Sequence, residues 1–205
     1  MSDLDPRTLV ERALGNDASR DTARAGRRLV ERAAAEDLLD VAYTTAPSPL
    51  GNLLVARTQQ GVVRLAYLED RTVDAVLREL AACVSPRILE AASNLDEERR
   101  QLEEYFAGRR REFDFPVDLA LTGPFAARVL TRTAAIPFGR VSTYREVATD
   151  IGHARAARAV GNALGSNPVP IVVPCHRVVR TGGGMGGYTG GIHRKERLLA
   201  IERGG

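Results

Sequence analysis

Two cysteines, three histidines, one lysine and no tryptophan occur in 205 residues, and these shortages exclude several kinds of protein. Neither Cys83 nor Cys175 belongs to a Cys-x-x-Cys pair, and His153, His176 and His193 are scattered. No metal-ligand cluster is therefore spelled out, and neither a metal nor another cofactor is expected. Two cysteines without a secretion signal read as reduced thiols, although counting alone leaves a disulfide between them open. No apolar run approaches the ~20 residues of a membrane-spanning helix. The first residues carry Asp3, Asp5, Arg7, Glu11 and Arg12 where a signal peptide needs an apolar stretch, so a cytoplasmic protein is expected.

What is present is arginine, unevenly spread. The formal net charge is +3. From Thr122 onward there are twelve basic and four acidic residues, a net +8, against −5 before that point. A basic second half suits a polyanionic partner, but arginine-rich solvated surfaces are common where lysine is scarce, so charge alone leaves nucleic acid open.

The chain divides into three parts. Residues 1–39 alternate arginines and carboxylates with Ala, Leu and Val, which reads as two short amphipathic helices in a charged extension. Residues 40–121 begin with strand-like runs at Val41-Ala42-Tyr43-Thr44-Thr45, Leu53-Leu54-Val55-Ala56 and Val62-Val63-Arg64-Leu65-Ala66-Tyr67-Leu68, punctuated by Pro47, Pro49, Gly51 and Gly61. A small antiparallel meander is expected there. Helical periodicity at residues 72–83 and 95–106 predicts two covering helices, with Cys83 packed in or beside the core, and Phe113-Asp114-Phe115-Pro116-Val117 reads as an extended edge. Residues 122–205 form the third part. Thr122-Gly123-Pro124 starts a helix to about Ala134. Two short helices follow, one capped at Ser142 and one over about residues 154–164, joined through Gly152 as a helix-turn-helix. The second carries Ala156, Ala157, Ala159 and Gly161 where base-reading helices carry bulky polar groups. Small residues there allow either close packing of helices or close approach to a shallow groove.

The densest chemistry lies at Pro174-Cys175-His176-Arg177, directly after the apolar run Pro170-Ile171-Val172-Val173. A free thiol titrates near pH 8.5, so a nucleophilic cysteine needs a base or a positive field, and His176 and Arg177 are candidates. On a strand end, neighbouring side chains point to opposite faces, so contact between Cys175 and His176 requires a turn or a bridging water. An arbitrary Cys-His pair is more often a small buried hydrophobe beside a satisfied core histidine. The surroundings favour a site: Asn167-Pro168-Val169-Pro170 precedes it, and the glycine-rich residues 181–191 follow.

Taken together, Ile136-Pro137-Phe138-Gly139-Arg140-Val141-Ser142-Thr143-Tyr144, Ala156-Ala157-Arg158-Ala159-Val160-Gly161, Asn167-Pro168-Val169-Pro170 and Pro174-Cys175-His176-Arg177-Val178 resemble the C-terminal domain of the O6-alkylguanine-DNA alkyltransferases. The resemblance spans residues 136–202, and the preceding hundred residues fit that family's less distinctive N-terminal domain. It implies an α+β protein, with a small ribonuclease H-like N-terminal sheet and helices followed by a helical, winged-helix-like domain carrying the active site. It implies direct-reversal DNA repair: a methyl or small alkyl group passes from O6 of guanine, less readily O4 of thymine, irreversibly to Cys175 after the nucleotide is flipped out.

The same resemblance implies roles. His176 takes the thiol proton through water, with Glu202 orienting it; Tyr144 supports the flipped nucleotide and assists protonation of guanine N3; Asn167 shapes the turn before the active site. Arg158 intercalates, while Ala156, Ala157 and Gly161 approach the minor groove, and Val178, Tyr188 and Thr189 wall the guanine pocket. Threonine at 189 departs from the usual serine. The implied partner is duplex DNA containing O6-alkylguanine, met by a monomer, with clustering along DNA left open and no membrane contact. Some alkyltransferases resemble zinc proteins in their N-terminal domain, but the ligands are lacking here. Three competing readings are a lesion-binding protein without transfer, which Cys175 opposes; a helix-turn-helix regulator with a structural Cys175; and a cysteine hydrolase, for which no oxyanion hole is identifiable.

Overall fold

The computed structural model describes residues 39–204; the expected helices of the N-terminal extension lie outside the described residues. Strands β1 (Val41–Ala46), β2 (Leu53–Thr58) and β3 (Gly61–Tyr67) pair antiparallel in sequence. The sheet is not a pure meander, however. A three-residue strand, β4 (Ile88–Glu90), joins the free side of β1 in parallel, giving the order β3-β2-β1-β4. The crossover helix between β3 and β4, α1 (Val73–Cys83), makes that parallel pairing possible.

Both sheet faces are covered, which explains the nearly continuous apolar text of β2 and β3. Val41, Leu54, Ala56 and Val63 meet Val76 and Leu80 of α1. Ala42, Leu53, Val55, Val62 and Leu65 face Leu102 and Tyr105 of α2 (Asp96–Phe106) and join the core of the second half. Each fully buried Leu or Val contributes about 1.5–3 kcal/mol. Thr72 caps α1 through the Ala75 amide at 3.3 Å. Cys83 falls at the last residue of α1 and is exposed, contrary to the expected packing in or beside the core. The helix face that meets the sheet is occupied by Val76 and Leu80, and Cys83 comes where the helix ends, on the rim of a hollow with Arg64, Arg71 and Leu121. Residues 113–117 run beside β3 without forming a strand: Val117 bridges Val62, whose amide donates to Pro116 O at 2.9 Å.

In the second half, α3 (Pro124–Ala134) starts with proline in its first turn and buries Val129 and Leu130. The two-residue strand β5 (Ser142–Thr143) leads into α4 (Tyr144–Asp150). The cap is Thr143 rather than Ser142: its hydroxyl accepts from the Glu146 amide while Glu146 accepts from the Thr143 amide, at 3.1 and 2.6 Å. Ser142 instead donates its hydroxyl to Glu146 at 3.0 Å. Gly152, at φ +79°, turns the chain toward α5 (Ala157–Gly165), which begins later than residue 154 because residues 154–155 form a turn. Strand β6 (Val178–Val179) pairs parallel with β5, and α6 (Ile192–Gly204) closes the fold. Among the described residues, no helix is long and apolar enough to cross a membrane.

The halves are joined by polar contacts as well as core. The Leu65 amide donates to Pro168 O at 2.8 Å. Buried Arg194 of α6 lies over the Tyr67 ring, 4.3 Å from its centroid, and binds Gly190 O, Leu50 O, Glu69 and Asp70.

Candidate active site

Residues 166–177 build the site by a tightly folded path. Asn167 Oδ1 accepts from the Val169 amide at 3.0 Å, and Asn167 Nδ2 donates to Val173 O at 2.9 Å, so one amide ties both sides of the Pro168–Val172 loop. Within it, Ile171 adopts φ +76°, a conformation that costs a β-branched residue about 1–2 kcal/mol. The apolar run before Cys175 is thus not a strand. Cys175–Arg177 form a 3₁₀ turn, which supplies the change of direction that an extended chain lacks.

That turn carries the thiol and the imidazole into two buried sets of polar contacts, one around Asn167 and one around Glu202. Cys175, 4 % exposed, receives the second donor of the Asn167 amide at 3.2 Å from Nδ2 to Sγ. Burial pushes the Cys175 thiol up to about 11, against the pull of Asn167 and of Lys195. His176 is fully buried, and its Nε2 lies 2.8 Å from Glu202 Oε1. Glu202 also accepts three contacts of 2.9–3.1 Å from the Arg177 fork, the Tyr105 hydroxyl at 2.7 Å and the Gly139 amide at 3.1 Å. Burial alone would raise its pKa, but hydrogen bonds from His176 and Arg177 hold it down at about 2. A carboxylate in this state only accepts, so His176 Nε2 carries the proton and Nδ1 presents a lone pair. Nδ1 is buried with no hydrogen-bond partner among the described residues. Burial, outweighing Glu202, lowers the imidazole pKa and keeps the ring neutral and able to accept.

Arg177 therefore supports Glu202 and Ile136 O, 2.5 Å away, rather than the thiol. Tyr105, within the helix expected over residues 95–106, joins the contacts around Glu202 because its hydroxyl reaches that carboxylate across the two halves.

Above the sulfur opens a cavity of about 630 Å³, lined by Cys175, Tyr144, Arg158, Gly161, Tyr188 and Thr189 among others. Ala157 lines it too, whereas Ala156 stands outside at the N-cap of α5. Tyr144 donates to Gly187 O at 3.4 Å, and burial raises its pKa, so it is a phenol at neutral pH. Gly186 has φ +70°, and a Cβ there would stand 2.6 Å from the Tyr144 hydroxyl oxygen, so the cavity wall requires glycine at this point. The hydroxyls of Tyr188 and Tyr67 meet at 2.9 Å, and Thr189 donates to Gly165 O at 2.6 Å, closing the loop onto α5. Val178 does not line the cavity: its side chain is buried in the core, its amide donates to Cys175 O and its carbonyl is held by Lys195. Arg158 is exposed at the mouth.

Comparisons with known proteins converge on one family. Residues 41–119 match the 6-O-methylguanine DNA methyltransferase ribonuclease-like domain and residues 124–204 match its DNA binding domain. The chain is 38 % identical over 162 residues to the constitutive methylated-DNA–protein-cysteine methyltransferase of Bacillus subtilis, covering 78 % of this chain and 94 % of that one. It is 40 % identical over 163 residues to the Mycolicibacterium paratuberculosis enzyme, covering 80 % and 93 %. The crystal structure of Mycobacterium tuberculosis O6-methylguanine methyltransferase superposes with a TM-score of 0.68 at 38 % identity, covering 80 % and 93 %; that enzyme has also been crystallised with DNA, and this form superposes at 0.66. The chain belongs to the 6-O-methylguanine DNA methyltransferase family, the methylated-DNA–protein-cysteine methyltransferases that repair DNA by direct reversal.

Proposed function

We propose that Cys175 is the alkyl acceptor, that it takes methyl or small alkyl groups from O6 of guanine and less readily from O4 of thymine, and that each molecule acts once. The observation carrying this reading is the sulfur on the floor of the cavity, with Asn167 as donor and the proton-accepting nitrogen of His176 in the same buried turn.

With a pKa of about 11, very little of the thiol is ionised at neutral pH. The proton has to leave at or just before attack, and His176 Nδ1 receives it directly or through one water. Sulfur then forms a bond to the alkyl carbon as the carbon–O6 bond breaks, and that electron pair stays with guanine. Tyr144 delivers a proton toward guanine N3, and the proton given up by the thiol restores the balance. Glu202 holds the imidazole and stabilises the imidazolium as it forms. The thioether carries no leaving group that this site activates, hence the single turnover.

Delivery of the base requires extrusion from duplex DNA. The exposed N-terminal face of α5, with Arg158 at the cavity mouth and Ala156, Ala157 and Gly161 leaving little side-chain bulk, suits a shallow-groove approach in which Arg158 fills the vacated stack. The basic second half supports backbone contact.

The test is incubation with duplex oligonucleotide carrying labelled O6-methylguanine. Label is expected on the Cys175 peptide, at one methyl per protein molecule. Label released as small product would indicate hydrolysis, and binding without transfer would indicate a lesion sensor; either overturns the proposal.

A further inference from the structure

Lysine occurs once in this chain, at position 195, and every other Lys or Arg position is arginine. The single lysine is wholly buried. Its Nζ donates to Val178 O at 2.6 Å, Met185 O at 2.5 Å and Gly187 O at 3.4 Å. Three carbonyls converge on a group that has three N–H donors only while protonated; a neutral amine has two, and a planar guanidinium cannot aim its donors at a tetrahedral set.

Those carbonyls lie on two segments that flank the sulfur. Val178 leaves the Cys175–Arg177 turn, while Met185 and Gly187 lie in the loop beside the cavity. The Gly187 carbonyl is shared with the Tyr144 hydroxyl. We infer that Lys195 is a positioning residue for alkyl transfer: its ammonium fastens the 185–187 loop to the nucleophile turn and holds a buried positive charge for the thiolate that forms at Cys175. This rests on Cys175 being the acceptor.

The groups around it leave that charge available. Cys175 and His176 face it from the turn, and Tyr144 and Tyr188 are phenols whose pKa values are raised, chiefly by burial. On its own helix, Glu202 is already held by Arg177 and His176, Arg194 turns to Asp70 and Glu69, and Glu196 and Arg197 are exposed. Tyr67 of β3 is occupied with Tyr188, and Arg180 stands at the cavity mouth. Burial pushes the Lys195 pKa down to about 8, partly offset by Cys175. The positive charge is therefore full below that pH and lost above it, while thiol ionisation is favoured by rising pH. Transfer should climb with pH and level off near 8, well before the thiol itself is titrated.

The experiment compares native protein with Lys195→Met, both in a Cys83→Ser background so that Cys175 is the only thiol. Methyl transfer from the labelled duplex and carboxamidomethylation of Cys175 by iodoacetamide are followed from about pH 6 to about pH 9.5, with melting curves. The variant should lose about tenfold or more in both rates at neutral pH, and its profile should rise without levelling. A folded variant with native iodoacetamide rates and a native profile overturns the inference. If the variant does not fold, native protein labelled with ¹³C-lysine gives a single side-chain signal. A midpoint near 8 that moves when Cys175 is methylated supports the inference, and a midpoint of an exposed lysine, about 10.4, overturns it. Should native protein transfer no methyl while the iodoacetamide arm keeps its Lys195 dependence, the acceptor reading fails and the charge pairing stands.

Discussion

Cys175→Ala should leave a folded, DNA-binding protein that transfers nothing. The expected loss is complete within detection, at least about 10⁴-fold, because no other group lining the cavity is a nucleophile of comparable strength. The other thiol, Cys83, is exposed at the end of α1 rather than in this cavity. The stability cost should stay near about 1 kcal/mol, since only one sulfur leaves a site whose Asn167 amide keeps its bonds to Val173 and Val169. Label transfer, duplex affinity and urea denaturation measured together check this. Residual labelling of the variant would place the acceptor elsewhere, and lost DNA affinity would mean that Cys175 is structural.

Glu202→Gln should damage both folding and transfer. The carboxylate receives His176, Arg177, Tyr105 and the Gly139 amide within one buried pocket. A glutamine puts an NH₂ where one carboxylate oxygen accepted, and leaves the Arg177 guanidinium, 6 % exposed, without a counter-charge. Breaking one side of a buried pair costs about 3–5 kcal/mol. The imidazole is no longer held in its accepting tautomer, so transfer should fall by about 10²-fold or more. The pH dependence of stability separates this from a general packing defect. The folded-state pKa of Glu202, about 2, lies below its ordinary value of 4.5. Its contribution is therefore present above about pH 4.5 and lost as pH falls toward 2. Native protein should lose on the order of 3 kcal/mol from this group over that window, and the variant should lack that loss. Urea titrations at several pH values give the comparison; parallel curves for the two proteins would count against the assignment.

The residues gathered around Cys175 were legible in the sequence to different degrees, for reasons that differ residue by residue. Cys175, His176 and Asn167 stand in neighbouring motifs, and the contacts of Asn167 with Cys175 and Val173 close locally, within eight residues, whereas His176 reaches Glu202, 26 residues on. Glu202 and Tyr144 were singled out only through the family resemblance. Tyr105 was not: its role depends on a contact 97 residues away in sequence, and within its own helix it follows the period of an ordinary core position. Lys195 was noticed only as a rarity, because three main-chain carbonyls leave no trace in side-chain text. The parallel strand β4 was missed since three residues after Pro86 fall below the length at which alternation can be read. The strand expected before Cys175 failed because Ile171 takes a left-handed conformation that its β-branched side chain disfavours; tertiary packing overrode local preference there.

The hydroxyl pair between Tyr67 and Tyr188, with Arg194 stacked behind it, has a consequence for modularity. The support behind Tyr188 in the chamber wall and one donor to Glu202 come from β3 and α2, which precede residues 122–205 in the chain. Residues 122–205 grafted onto a foreign scaffold would carry the sulfur and its histidine but lose the brace behind Tyr188 and the phenol on Glu202. Redesign of the accepted adduct therefore starts at β3 as much as at the glycine loop.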